Sequence, residues 1–110
     1  MKKQYRIKKN EEFSRIISEK HSISSANFVV YCSKKEETVS RVGISVSKKI
    51  GNAVVRNKIK RQIREMARSI IDFSAYDKDI IIIVRKPYLN NDYKQNSDDL
   101  EKLIKKDIIV

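Results

Sequence analysis

The sequence predicts an α/β (α+β) fold in one domain, on three observations. Ile59, Ile63, Met66 and Ile70 recur at i, i+4, i+7 and i+11, the spacing of a single helix face. Val42, Ile44 and Val46 alternate with Arg41, Gly43, Ser45 and Ser47, the two-residue period of a half-buried strand. Ile80 to Val84 is an uninterrupted apolar run, as expected of a strand buried on both faces at the centre of a sheet. Strands on either side of a helix make a βαβ unit, whose default crossover is right-handed. A length of 110 residues suits one hydrophobic core, and no repeat, linker or low-complexity tract marks a second domain.

The elements follow in order. Asn10 reads as an N-cap, with Glu11 and Glu12 placed well for the helix dipole. Phe13, Ile16 and Ile17 make an i, i+3, i+4 stripe, so a first helix is expected over about 10–20. HSISSAN, residues 21–27, reads as a polar loop. Phe28, Val30 and Cys32 alternate with Val29 and Tyr31, a strand apolar on both faces, and Ser33 to Glu37 form a charged turn. The next strand is expected over 40–47, its small polar face suited to line a groove. Gly51 breaks the chain and Asn52 caps a helix running from 53 to 71. Asp72 to Lys78 connect it to a strand over 79–85, which Pro87 ends by removing a ladder donor. Tyr93, Leu100, Leu103 and Ile104 share one face of a last helix over about 91–107, followed by a short apolar end, Asp107 to Val110.

The charge pattern narrows the function. The formal net charge is +11, with 35% of residues charged, a self-repulsion that a polyanionic partner relieves. On the helix over 53–71, Arg56, Lys60, Arg64 and Arg68 climb one ridge at i, i+4 steps, Asn57 and Arg61 widen it, and Lys58 adds a further cation. Only Glu65 offsets them. Like charges at this spacing cost roughly 0.2–0.5 kcal/mol per pair, so helix stability does not account for the placement. Solvated helix faces ordinarily mix both signs, whereas this one is cationic and rich in Arg, whose planar fork grips phosphate in bidentate fashion. Nucleic acid is the expected partner, with affinity that falls steeply with salt. A membrane partner is not expected: no Trp or Phe anchors the apolar side of this helix, and no segment approaches the roughly 20 apolar residues of a spanning helix.

Other chemistries find little support. Cys32 is the only cysteine, which excludes an internal disulfide and a multi-cysteine zinc site; it reads as a small core residue. His21 is the only histidine and reads as a loop residue. The N-terminal MKKQYRIKKNEEF is basic without an apolar segment, unlike a secretory signal, so a cytoplasmic location is expected. A nuclease working by itself would need clustered carboxylates to hold metal. Asp98 and Asp99 are adjacent on a helix and diverge, and Glu11 and Glu12 sit at a cap, so no catalytic or metal-ligating residue is assigned.

With these residues in view, the chain resembles the protein subunit of bacterial ribonuclease P over nearly its whole length. The resemblance is carried by RVGISVSKKIGNAVVRNKIKRQIR, residues 41–64, where the pattern A-x-x-R-N-x-x-K-R-x-x-R appears as Ala53, Arg56, Asn57, Lys60, Arg61 and Arg64. KKNEEF at 8–13, FVVY at 28–31 and IIIIVRKP at 80–87 support it in order and spacing. The resemblance implies a two-layer sandwich of a small mixed sheet with helices, ribosomal-protein-S5-domain-2-like, with a left-handed βαβ crossover around the basic helix in place of the default hand. It implies a non-catalytic subunit that joins a catalytic RNA, the holoenzyme removing the 5′ leader of precursor tRNA with Mg²⁺ held mainly by the RNA. Arg56, Asn57, Lys60, Arg61 and Arg64 would then hold the catalytic RNA, with Lys48, Lys49, Lys58 and Arg68 adding contacts. Phe13, Ile17, Val29 and Tyr31 would line the cleft for the single-stranded leader, a positive groove with aromatic platforms being the usual tool for a single strand. Ile17 stands where many relatives carry a second aromatic, HSISSAN lacks a glycine often found there, and the C-terminal end is apolar rather than basic. An RNA-binding module acting on ribosomal RNA is the alternative, and composition does not separate the two.

Overall fold

The computed structural model describes residues 2–106, so the expected end of the last helix at 107 and the stretch Asp107 to Val110 lie outside the described residues. Within them are the strands β1 (Ser22–Ser24), β2 (Phe28–Lys34), β3 (Val42–Ser45) and β4 (Lys78–Val84), and the helices α1 (Asn10–Ser18), α2 (Ala53–Ile70) and α3 (Tyr93–Lys105). The apolar run does lie inside the sheet, whose order is β1-β2-β4-β3. β2 is antiparallel to both β1 and β4, while β3 runs parallel to β4. The sheet is therefore mixed, and α2 supplies the long connection that a parallel pair requires.

Register sorts the side chains by face. Phe28, Val30, Cys32, Val42, Ile80, Ile82 and Val84 form the main core with Ile59, Ile63, Met66 and Ala67 of α2 and Leu100, Leu103 and Ile104 of α3. The sheet and the α2–α3 pair are the two layers that enclose it. The opposite face carries Tyr31 beside Ile81 beside Gly43, and Val29 beside Ile83 beside Ser45. There Ile81 packs with Ile7 and with Ile16 of α1 in a second, smaller cluster. Cys32 is fully buried in the main core, as its reading as a small apolar residue requires.

Several boundaries differ from the expectation, each for a local reason. Lys9, not Asn10, precedes the first helical residue, without a side-chain cap, and α1 stops at Ser18. Ser22 to Ser24 form an edge strand instead of a loop, because β2 offers them a partner in register from Tyr31 to Val29. Ser33 is buried inside β2, which continues to Lys34 through its pairing with β4. β3 is shorter than 40–47 and is prolonged at its edge by the N-terminal segment: Arg6 bridges Val42, and the Ile7 amide donates to the Val42 carbonyl at 2.9 Å. α2 agrees at its start, where Asn52 Oδ1 accepts from the Val55 amide at 3.0 Å, a cap worth about 1 kcal/mol. α3 begins at Tyr93 because Asp92 and Gln95 form a reciprocal capping box. Tyr93 stands 42% exposed outside the expected stripe, and Asn96, 1% exposed, takes the buried place one turn on.

Candidate nucleic-acid interface

The cations of α2 are arranged around its buried stripe. Arg56, Lys60 and Arg64 are half-buried along one flank, while Asn57, Lys58, Arg61 and Arg68 are exposed. Arg68 differs from the rest, since its guanidinium meets Glu65 at 2.9 Å. Among the described residues, no carboxylate lies within ion-pair distance of Arg56, Lys58, Lys60, Arg61 or Arg64. Lys48 and Lys49 are exposed in the turn that enters the helix, closed by the Ile50 amide on the Ser47 carbonyl at 3.1 Å.

Arg6 and Lys8 were not singled out by the sequence reading. The N-terminal segment alternates along the β3 edge, so that Ile7 turns under α1 while Arg6 and Lys8 join Lys60 and Arg64 around a small slot of about 80 Å³. The lining charge is of one sign. Burial, and then the nearby charge of Arg6, push the Arg64 guanidinium below its ordinary range. An anionic group in the slot would relieve that repulsion. The basic composition of MKKQYRIKK was the available signal, but only the bridge to Val42 fixes where it goes.

The second surface lies on the other face of the sheet. Phe13, Ile17, Tyr31 and Ile83 pack, half-buried, against the cluster of Ile7, Ile16 and Ile81, and Val29 neighbours Ile83 across the β2–β4 ladder. The four expected cleft residues thus share one partly open apolar surface, floored by Ile83 and flanked by Ser45. Gly43 is needed for its shape: a Cβ there would sit 2.7 Å from both Phe13 Cζ and Ile81 Cδ1, too close without movement of either. α1 is latched over this floor by Arg41, whose guanidinium meets Glu12 at 2.6 Å and the fully buried Asp79 at 3.2 Å. Asp79 also accepts from the Arg41 amide at 2.9 Å. Burial would lower the Arg41 pKa, but its bonds and charge contacts with Glu12 and Asp79 hold it above the ordinary range. Ile83 and Arg41 escaped the sequence reading, one hidden in a uniform apolar run and the other read as a strand's polar face.

Among the described residues, no group of three or more His, Cys, Asp or Glu side chains converges as a metal site, and no helix is long and apolar enough to cross a membrane. A cationic helix on one sheet face and a half-open apolar floor on the other define a small basic α/β protein of the polyanion-binding class.

The family model described as Ribonuclease P matches residues 1–107. The ribonuclease P protein component of Staphylococcus aureus is 49% identical over 106 residues, covering 96% of this chain and 91% of the relative. That of Bacillus cereus is 49% identical over 96 residues, covering 86% and 84%. Among solved structures, an S. aureus RNase P protein superposes with a TM-score of 0.79 at 48% identity, covering 92% of this chain and 93% of the other. The Thermotoga maritima protein gives 0.78 at 33% identity, covering 91% and 94%. The chain belongs to the ribonuclease P protein family. It is the accessory protein subunit of a ribonucleoprotein endoribonuclease that matures the 5′ ends of tRNA, working with an RNA subunit.

Proposed function

We propose that the two surfaces divide the work of the subunit. The α2 side docks the catalytic RNA through Arg56, Asn57, Lys58, Lys60, Arg61, Arg64 and Arg68, with Lys48 and Lys49 at its entry. The sheet face with Phe13, Ile17, Val29 and Tyr31 receives the single-stranded 5′ leader of precursor tRNA. The observation that carries the first half is the set of five α2 cations without an internal carboxylate partner among the described residues, which a polyphosphate neutralises with release of counterions. The second half is supported by half-buried aromatic and aliphatic groups beside a polar strand edge, a surface on which bases stack without sequence readout.

The chain's own residues bind and orient; none is assigned to bond breaking. Its described residues offer no carboxylate cluster, so in this reading Mg²⁺ belongs mainly to the RNA, where it supports hydrolysis when bound.

The test is a leader-removal assay at physiological magnesium with the chain alone, catalytic RNA alone, and both together. Cleavage is expected to be fastest with both and absent with the chain alone. Cleavage by the chain alone overturns the reading.

A further inference from the structure

The α3-facing flank of α2 carries a cavity that shares only Lys58 with the surfaces above. It holds about 230 Å³ and is lined by Val55, Lys58 and Gln62 of α2, by Tyr88 and Leu89 of the turn Lys86–Asn90, and by Tyr93 and Asn96 of α3. That is smaller than the roughly 300–1,000 Å³ of a pocket for a drug-sized ligand. Its rim is apolar and open, Leu89 being 47% and Tyr93 42% exposed. Its lining is mainly apolar and carries two polar side chains, Gln62 and Asn96, that are only partly satisfied. Asn96, 1% exposed, donates from Nδ2 to the Tyr88 carbonyl at 3.1 Å, and since that carbonyl is an acceptor the amide's orientation is fixed. Among the described residues, Asn96 Oδ1 is buried with no hydrogen-bond partner, a state that costs about 1–3 kcal/mol unless something donates to it. Gln62 Oε1 is taken by the Tyr88 hydroxyl at 2.8 Å, which leaves the Gln62 amide with both N–H donors.

We infer that this cavity holds one unpaired nucleobase of the RNA that α2 docks. A base supplies what the lining lacks: a flat face for the Tyr93 ring, an N–H donor for Asn96 Oδ1, and an acceptor edge for Gln62 Nε2. Its phosphate then falls to Lys58, which has no carboxylate partner among the described residues and lies between the cavity and the exposed Asn57 and Arg61. A single strand crossing the helix therefore meets cations on its crown and a base-sized recess on one flank, the pairing of tools that single-stranded nucleic acid requires. The inference rests on α2 being the RNA-docking helix.

Two measurements test it. Tyr93→Ser and Leu89→Ser alter exposed side chains and leave the charge unchanged. Each variant, in complex with the catalytic RNA, is expected to bind roughly 5- to 150-fold more weakly for Tyr93→Ser, the scale of one base stack, and less for Leu89→Ser. The slope of log affinity against log salt should stay that of the unsubstituted chain, because no phosphate contact is removed. In parallel, AMP, GMP, CMP and UMP are titrated into the isotope-labelled full chain. At least one is expected to shift the Asn96 side-chain amide and Tyr93 resonances saturably. Undiminished RNA affinity in both variants, a flattened slope, or no shift at Asn96 with any of the four nucleotides overturns the inference, and the first and last together leave the recess to a protein partner. Should Arg61→Ala with Arg64→Ala also leave RNA binding unchanged, the docking role of α2 fails separately, while the nucleotide titration still reports on the cavity.

Discussion

The cationic side of α2 and the cleft under α1 are built on opposite principles. On α2, the five cations that have no carboxylate partner among the described residues project from a helix whose stability comes from Ile59, Ile63, Met66 and Ala67 beneath them. In the cleft, the exposed surface is continuous with what holds it: Phe13 and Tyr31 pack against Ile81, and Arg41 ties α1 to Asp79 in the sheet. The charged surface is thus dispensable for folding and the apolar one is not. A surface that binds by charge needs only a rigid platform, whereas a surface that binds by shape has to be part of the core that shapes it.

The largest effect that could break this contrast is on stability. Asp79→Ala takes the buried acceptor from the Arg41 amide and one of the two carboxylates from its guanidinium, Glu12 remaining. The loss is expected to reach about 3 kcal/mol, the upper range for a buried donor left without its acceptor. Urea unfolding should show that loss, and a change under 1 kcal/mol would mean that the latch does not hold the cleft. Next comes Tyr31→Ala, expected to weaken precursor tRNA binding by about 1–3 kcal/mol, the scale of one stacked base. Mature tRNA should be affected less, and equal weakening of the two would reduce Tyr31 to a packing residue. The smallest effect on folding belongs to the other surface. Exposed Arg61 and half-buried Arg64, replaced together by Ala, should change the unfolding free energy by about 1 kcal/mol or less. The same double variant should flatten the salt dependence of catalytic-RNA binding by roughly 1.4–1.8 log units per log unit of salt, at 0.7–0.9 for each lost phosphate contact. An unaltered slope would take these arginines out of the RNA interface.

Much of this division was legible in the chain. The stripe of Ile59, Ile63 and Met66 fixed which side of α2 is buried, and hence that Asn57 and Arg61 face outward. Asn52 marked its first turn, and the run Ile80 to Val84 marked an interior strand. What was not legible depended on distant partners. Ser22 to Ser24 look like loop until β2 lies alongside them, since a short polar edge strand owes its form to pairing rather than propensity. Tyr93 and Asn96 exchanged roles because Asn96 finds the Tyr88 carbonyl, a contact that periodicity cannot express. Arg6 and Lys8 were two cations in a basic terminus until the bridge to Val42 carried them to Lys60 and Arg64.

By itself, the sequence determined the α/β class, the polarity of α2 and the cations along it, because helix and strand periods are local and a charge is carried by its residue wherever the chain goes. Tertiary structure alone decided that Phe13, Ile17, Val29 and Tyr31 meet over Ile81 and Ile83, that Gly43 leaves room for Phe13, and that Arg41 latches α1 through Glu12 and Asp79. Those contacts join residues far apart in the chain, and their register is set by strand pairing across the whole sheet rather than by any segment's own preference.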